Sequence, residues 1–193
     1  MIFRAIKFAV EAHEGHYRKG TNIPYITHLM NVMKILCENN CDEEVIVAGI
    51  LHDVIEDTPY TINFIERKFG KRVASIVNGV SEKKIDQETG KEILWNQRKQ
   101  RSIKYLQKKA NQDELLVTCA DKLDNILSIK SEYKQEGDEV WKRFKAGKEE
   151  QGWYYKELLE VFDKRSKEFG GVLERLTGEF AEAVNDVFKG GLK

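Results

Sequence analysis

Apolar residues recur at helical spacing through almost all of this 193-residue chain, and only two prolines, Pro24 and Pro59, interrupt it. No stretch alternates apolar and polar residues long enough to make a half-buried strand. The pattern predicts an all-α fold, a compact multi-helix bundle with helices over 2–14, 25–38, 42–54, 61–69, 71–81, 91–109, 113–130, 139–145, 147–162 and 171–188. Asp42 and Thr61 are placed to cap the helices that follow them, and Gly70 stands where a helix should stop. "GHYRKGTNIP" (15–24) reads as a basic loop, "SEKKIDQETGKE" (81–92) as a mobile polar loop, and "KSEYKQEGDE" (130–139) as a polar connection. A single domain over 1–193 is the simplest account, with a core over 1–130 and a C-terminal helical extension over 131–193 packed on it. The last two helices suit either that packing or an oligomer contact, so a homo-oligomer stays open.

Lys plus Arg and Asp plus Glu both number 32, so the net charge is zero. No global basic field invites nucleic acid or a membrane surface. Hydrophobic residues at 41% and charged residues at 33% fit a soluble globular protein with heavily charged helix surfaces. No apolar run approaches the ~18 residues of a membrane span. The N-terminal "MIFRAIKFAVEAHEGH" acquires Glu11 and His13 too early for a signal peptide. Cys37, Cys41 and Cys119 are odd in number and lack CxxC spacing, which points to reduced thiols and a cytoplasmic setting.

Ionisable chemistry concentrates at the end of one apolar run, "AGILHDVIEDTPYT", where His52 and Asp53 follow the leucine directly. Glu56 lies four residues after His52, and Asp57 four after Asp53, so each pair shares a helix face. Three acids at a helix C-terminus oppose the macrodipole; a nearby cation removes that objection. Alone, the stretch reads as an ordinary polar helix end. Two distant segments add to it. His28, in "PYITHLMNVMKIL", sits beside an apolar face of Ile26, Leu29, Val32, Met33 and Leu36, as a hydrogen-bonded core histidine or a ligand. In "LLVTCADKLDNIL", Leu116, Ala120, Leu123 and Leu127 should face the core. Asp121 beside them needs an ion-pair partner or a metal, whereas Asp124 reads as pointing to solvent. Together His28, His52, Asp53 and Asp121 offer two imidazoles and two carboxylates. That set suits Mn²⁺, and also Fe²⁺, Co²⁺ or Zn²⁺.

The order H…HD…D, carried by His28, His52–Asp53 and Asp121, resembles the HD superfamily of metal-dependent phosphohydrolases. "FAVEAHEGHYRKGTNIPYITHLMNV", "AGILHDVIEDTPYTINFIERKFGKRVASIVNGVSE" and "LVTCADKLDNILSI" are similar to the (p)ppGpp hydrolase domain of RelA/SpoT-homology enzymes, in particular the small alarmone hydrolases. The resemblance covers about residues 3–130 and continues more loosely through "WKRFKAGKEEQGWYYKELLEVF". It implies Mn²⁺ held by His28, His52, Asp53 and Asp121, with Glu56 and Asp57 as the catalytic acids. It also implies nucleotide contacts from Arg18, stacked on guanine, and from Lys19, Lys122 and Asn125, the last near the ribose. This chain departs from the family with His16 for the common Gln, Leu29 for Pro, and "GVSEKK" for the usual "GVT". None removes a proposed ligand; His16, close to the basic loop, leaves nucleotide selectivity open.

The expected activity is hydrolysis of the 3′-pyrophosphate of ppGpp or pppGpp, releasing pyrophosphate and GDP or GTP. The expected partner is a small guanine nucleotide, with no nucleic acid and no membrane. The alternatives are an HD phosphohydrolase acting on a nucleoside phosphate or the 2′-phosphate of NADPH, and a catalytically silent nucleotide-binding module. An intact Glu56–Asp57 pair argues against silence.

Overall fold

A computed structural model describes residues 1–86 and 88–188. Gln87, inside the expected polar loop, and 189–193, the end of the expected extension, lie outside the described residues. The chain is all-α, as its periodicity predicts. In order come α1 (Ile2–Ala12), α2 (Ile26–Glu38), α3 (Glu43–Leu51), α4 (Val54–Asp57), α5 (Ile62–Phe69), α6 (Lys71–Val80) and α7 (Trp95–Lys108). Then follow α8 (Gln112–Glu136), a 3₁₀ segment (Gly137–Arg143), α9 (Lys148–Phe169) and α10 (Gly171–Phe188).

Two helices organise the bundle. α3 is buried on every side from Val45 to Leu51, as befits a helix that is apolar all round. Asp42 caps it, accepting from the backbone N–H groups of Glu44 and Val45. Gly49 lets α3 press on α2: a Cβ there would collide with Leu36 Cδ1 and come within 3.3 Å of Val32 Cγ1. α8 opens with a reciprocal cap, in which Asn111 accepts from Glu114 N–H and the Glu114 carboxylate accepts from Asn111 N–H. From there Leu115, Val117, Cys119, Ala120 and Leu123 run through the core.

Several boundaries differ from the sequence reading. The helix expected over 42–54 breaks at His52 and Asp53, giving α3 and the short α4. α8 continues to Glu136, because "KSEYKQE" is built of adequate helix formers and the first real stop is Gly137, at φ +60°. α9 likewise runs past 162 to Phe169, until Gly170 at φ +64°. α7 starts at Trp95 rather than 91, and the helix expected over 139–145 is the 3₁₀ segment. Leu127, expected in the core, is 41% exposed. Thr61 makes no side-chain cap. Within the polar stretch 81–92, Ile85 bridges Glu92 in the antiparallel sense, and Asp86 N–H donates to Lys91 O.

The C-terminal extension closes the bundle. α10 packs on α8 and α9, with Phe162 and Phe180 edge to face at 5.4 Å. Arg165 on α9 is buried and donates to the carbonyls of Leu106 (2.6 Å) and Ala110 (2.8 Å). It thereby serves carbonyls at the end of α7 that have no helical donor. Replacing it with Met, similar in length, leaves both acceptors buried and unmet. The expected loss is about 2–4 kcal/mol from urea unfolding, larger than for exposed Lys167→Met, whose partner Asp163 is also solvent-exposed.

Candidate metal centre and adjoining pocket

The break between α3 and α4 places His52 and Asp53 where α2 and α8 cross. His52 Nδ1 donates to the carbonyl of Gly49 at 2.8 Å, which turns the ring back along α3. His28 Nδ1 donates to Asp124 Oδ2 at 2.6 Å, and Asp124 Oδ1 accepts from Asn31 on the next turn of α2. With each Nδ1 engaged in a hydrogen bond, both rings turn Nε2 inward, toward the carboxylates.

Those nitrogens meet the carboxylates. His28 Nε2 lies 3.3 Å from Asp121 Oδ1 and 3.7 Å from Asp53 Oδ2. His52 Nε2 lies 3.0 Å from Asp53 Oδ2 and 3.7 Å from Asp121 Oδ1. One donor atom from each of His28, His52 and Asp53 lies within 4.8 Å of the others. His52 Nε2 is buried and forms no hydrogen bond of proper geometry. Two inward-facing imidazole nitrogens beside two carboxylates, that of His52 without a hydrogen-bond partner, fit a divalent cation with nitrogen and oxygen ligands. His28, His52 and Asp53 make a metal-binding triad, and Asp121 faces both of its imidazoles.

The electrostatics agree. Burial alone would push His52 down, but Asp53 and Asp121 outweigh it and raise its proton affinity well above the usual histidine range. Burial would likewise raise Asp121, but Lys122, 2.7 Å away, and the two imidazoles hold it well below the usual carboxylate range. The Tyr25 hydroxyl donates to Asp53 Oδ2 at 2.5 Å. Burial and that carboxylate raise its pKa, so it stays a donor.

Glu56 and Asp57 stand one turn on, in α4. Glu56 Oε1 accepts from Glu82 N–H at 2.6 Å, while Asp57 Oδ1 pairs with Lys84 at 2.6 Å. Burial first, and then the Asp53 charge, push Glu56 up to about 7.

A cavity of about 370 Å³ opens over this cluster, with Lys19, Lys84, Arg98, Lys99 and Lys122 in its walls. A second, of about 280 Å³, adjoins it through Lys19, Tyr25, Lys99 and Lys122. Its walls are aromatic: Trp95, Phe144, Tyr154 and Tyr155. Arg18 lines it and donates to Asn125 Oδ1 at 3.0 Å, while Asn125 Nδ2 donates to Asp121. Buried His28 lies behind these two cavities, against Asp53 and Asp121, and every other proposed site residue lines one of them. Asp124 is a correction: it is buried, not solvent-facing. Tyr25, Asn31, Lys84 and Lys99 join the site without being marked by the sequence motifs. Helical spacing offered a signal for some of them: Tyr25 and Asn31 lie three residues either side of His28, and Asp124 three after Asp121.

An all-helical bundle that gathers two imidazoles and neighbouring carboxylates at one crossing belongs to the HD class of domains. A family model described as "HD domain" matches residues 5–152, so this chain belongs to the HD-domain family. Its similarity to Guanosine-3′,5′-bis(diphosphate) 3′-pyrophosphohydrolase of Aquifex aeolicus is 36% over 129 residues, which is 66% of this chain and 18% of that protein. Bifunctional (p)ppGpp synthase/hydrolase SpoT of Escherichia coli K12 is 50% identical over 78 residues, 40% of this chain and 11% of that protein. The chain thus spans under a fifth of the length of these curated relatives. Among solved structures, lmo0812 from Listeria monocytogenes EGD-e is 34% identical with a TM-score of 0.71, over 84% of this chain and 99% of that one. A metazoan ortholog of SpoT, described as hydrolysing ppGpp and acting in starvation responses, is 26% identical with a TM-score of 0.70, over 99% of this chain and 96% of that one. The chain is related to the RelA/SpoT hydrolase domains.

Metal binding should show as stability. Mn²⁺ at a hundredfold excess over its Kd is expected to add about 2.7 kcal/mol by calorimetry, and His52→Ala should abolish the gain. Asp124→Ala, which frees the His28 ring, is expected to weaken Mn²⁺ binding about 10- to 100-fold in titration calorimetry.

Proposed function

We propose that the chain hydrolyses the 3′-pyrophosphate of ppGpp or pppGpp, giving GDP or GTP and pyrophosphate, in a reducing cytoplasmic setting. We take residues 1–193 as one HD unit, with 1–130 as the catalytic core and 131–193 as an extension that completes the pocket. The observation that carries the reading is the junction between the His28–His52–Asp53–Asp121 cluster and the cation-lined, aromatic chamber beside it. The relatives named as 3′-pyrophosphohydrolases support the substrate class. In this reading His28, His52, Asp53 and Asp121 hold the ion, with Mn²⁺ our choice for the donor set. Once bound, it supplies Lewis-acid polarisation of the phosphoryl group and a lowered water pKa.

The protein's own groups do the rest. The Arg18 guanidinium offers a plane to the guanine base in the aromatic chamber, and Asn125 stands near the ribose. Lys19 and Lys122 line both cavities, so they bridge base and phosphates. Water attacks phosphorus, the bond to the ribose 3′ oxygen breaks, and that oxygen leaves as a hydroxyl, taking a proton from solvent. Glu56 takes the water's proton on Oε2, since Oε1 is held by Glu82 N–H. Asp57 holds Lys84 as an ammonium, and that charge stabilises the departing groups.

A base must be ionised, so kcat/KM should rise with pH along a limb set by Glu56. Its midpoint should lie at or below about 7, because the ion's charge opposes the burial that raises Glu56. Glu56→Gln is expected to remove that limb and lower kcat by about 10²- to 10⁴-fold. Product analysis with ppGpp, pppGpp, NADPH and simple nucleotides tests the substrate: release of inorganic phosphate from NADPH, with ppGpp left intact, overturns it.

A further inference from the structure

A third cavity, of about 350 Å³, lies behind the cleft between α6, α7 and α8. Lys83, Arg98 and Arg101 bring three cations to it, and Val80, Tyr105 and Leu106 form its less polar wall. The carboxylate in its wall, Glu82, is already committed: Lys99 Nζ lies 2.7 Å from Oε1, and Arg98 Nη1 3.7 Å from Oε2. Arg98 and Glu82 also line the cavity over the metal cluster, so the two spaces share a wall. Arg98 is mostly buried, and its Nε has no hydrogen-bond partner. A buried guanidinium short of acceptors, beside a second guanidinium and an ammonium, is matched by a compact anion with several oxygens.

We propose that this rear cavity is a separate binding site for a phosphate-class oxyanion, held by Arg98, Arg101 and Lys83, and that its occupant acts on the cleft through Glu82. An anion here supplies Arg98 with the acceptors it lacks and draws it from Glu82. Glu82 in turn gives its backbone N–H to Glu56. Occupancy at the rear therefore changes the support of Glu56 without any ligand entering the cleft. The binding claim stands apart from the proposed hydrolysis, because it needs neither ion nor turnover.

The test is titration of EDTA-treated, full-length protein with inorganic phosphate and with pyrophosphate, read by calorimetry. Arg101 and Lys83 line the rear cavity and not the cleft, whereas Lys19 lines the cleft and not the rear. Arg101→Ala and Lys83→Ala are expected to weaken binding about tenfold each, and Lys19→Ala to leave it unchanged. Phosphate binding as tightly as pyrophosphate assigns a single-phosphate site; pyrophosphate binding alone assigns a diphosphate site; both support the proposal. Absence of binding by either anion overturns it. So does binding that Lys19→Ala removes and Arg101→Ala spares. Melting curves of the variants check folding, and Arg101→Lys should restore part of the affinity.

Discussion

Two carboxylates buried against two imidazoles are the constraint that the rest of the bundle serves. Asp53 and Asp121 bring like charge into a place where burial disfavours it. Each is therefore supported: Asp121 by Lys122 and Asn125, Asp53 by Tyr25. The imidazoles are aimed by bonds on their far nitrogens, one to a helix carbonyl and one to Asp124. Such a cluster keeps its geometry only if α2, α3 and α8 cannot slide. Gly49 supplies the close approach of α3 to α2, and the apolar run from Leu115 to Leu123 fixes α8.

That dependence explains what could be read from the residues. Helices are legible because each must bury a stripe at 3.6-residue spacing, and His28, His52, Asp53 and Asp121 because such groups sit badly among apolar neighbours. The break at His52–Asp53 is not legible, since Val54 and Ile55 resume the apolar run after it and no glycine or proline marks a stop. Asp124 escapes for another reason. An acid beside a core helix face looks the same whether it meets solvent or an imidazole, and only the position of α2 across α8 decides. The extra turns of α8 and α9 show composition misleading in a different way. Polar sequence looks like a connection, but without glycine or proline nothing stops the helix before Gly137 or Gly170.

The C-terminal helices do more than cover apolar surface. Tyr154 and Tyr155 from α9 and Phe144 before it form much of the aromatic chamber, and Trp95 at the start of α7 packs edge-on to Tyr154 at 6.0 Å. Arg165 ties α9 to the far end of that same α7. The wall of the chamber and the helix carrying Arg98 and Lys99 are thus joined at both ends of α7. A change in α9 packing would reach both cavities of the cleft.

Three cations of the cleft already hold carboxylate partners. Lys84 rests on Asp57, Lys99 on Glu82 and Lys122 on Asp121, each within 2.7 Å. Separating a partly buried pair leaves an uncompensated charge, which costs more than the pair itself is worth. A ligand must therefore replace several carboxylates at once. One with a single phosphate repays one such exchange and leaves others broken, whereas one with phosphates at two positions repays several. Discrimination then comes as much from the internal ion pairs that a poor ligand disrupts as from the contacts a good one makes. On this argument the acids around the cluster, beyond their bearing on protons and metal, set the charge a ligand needs to enter.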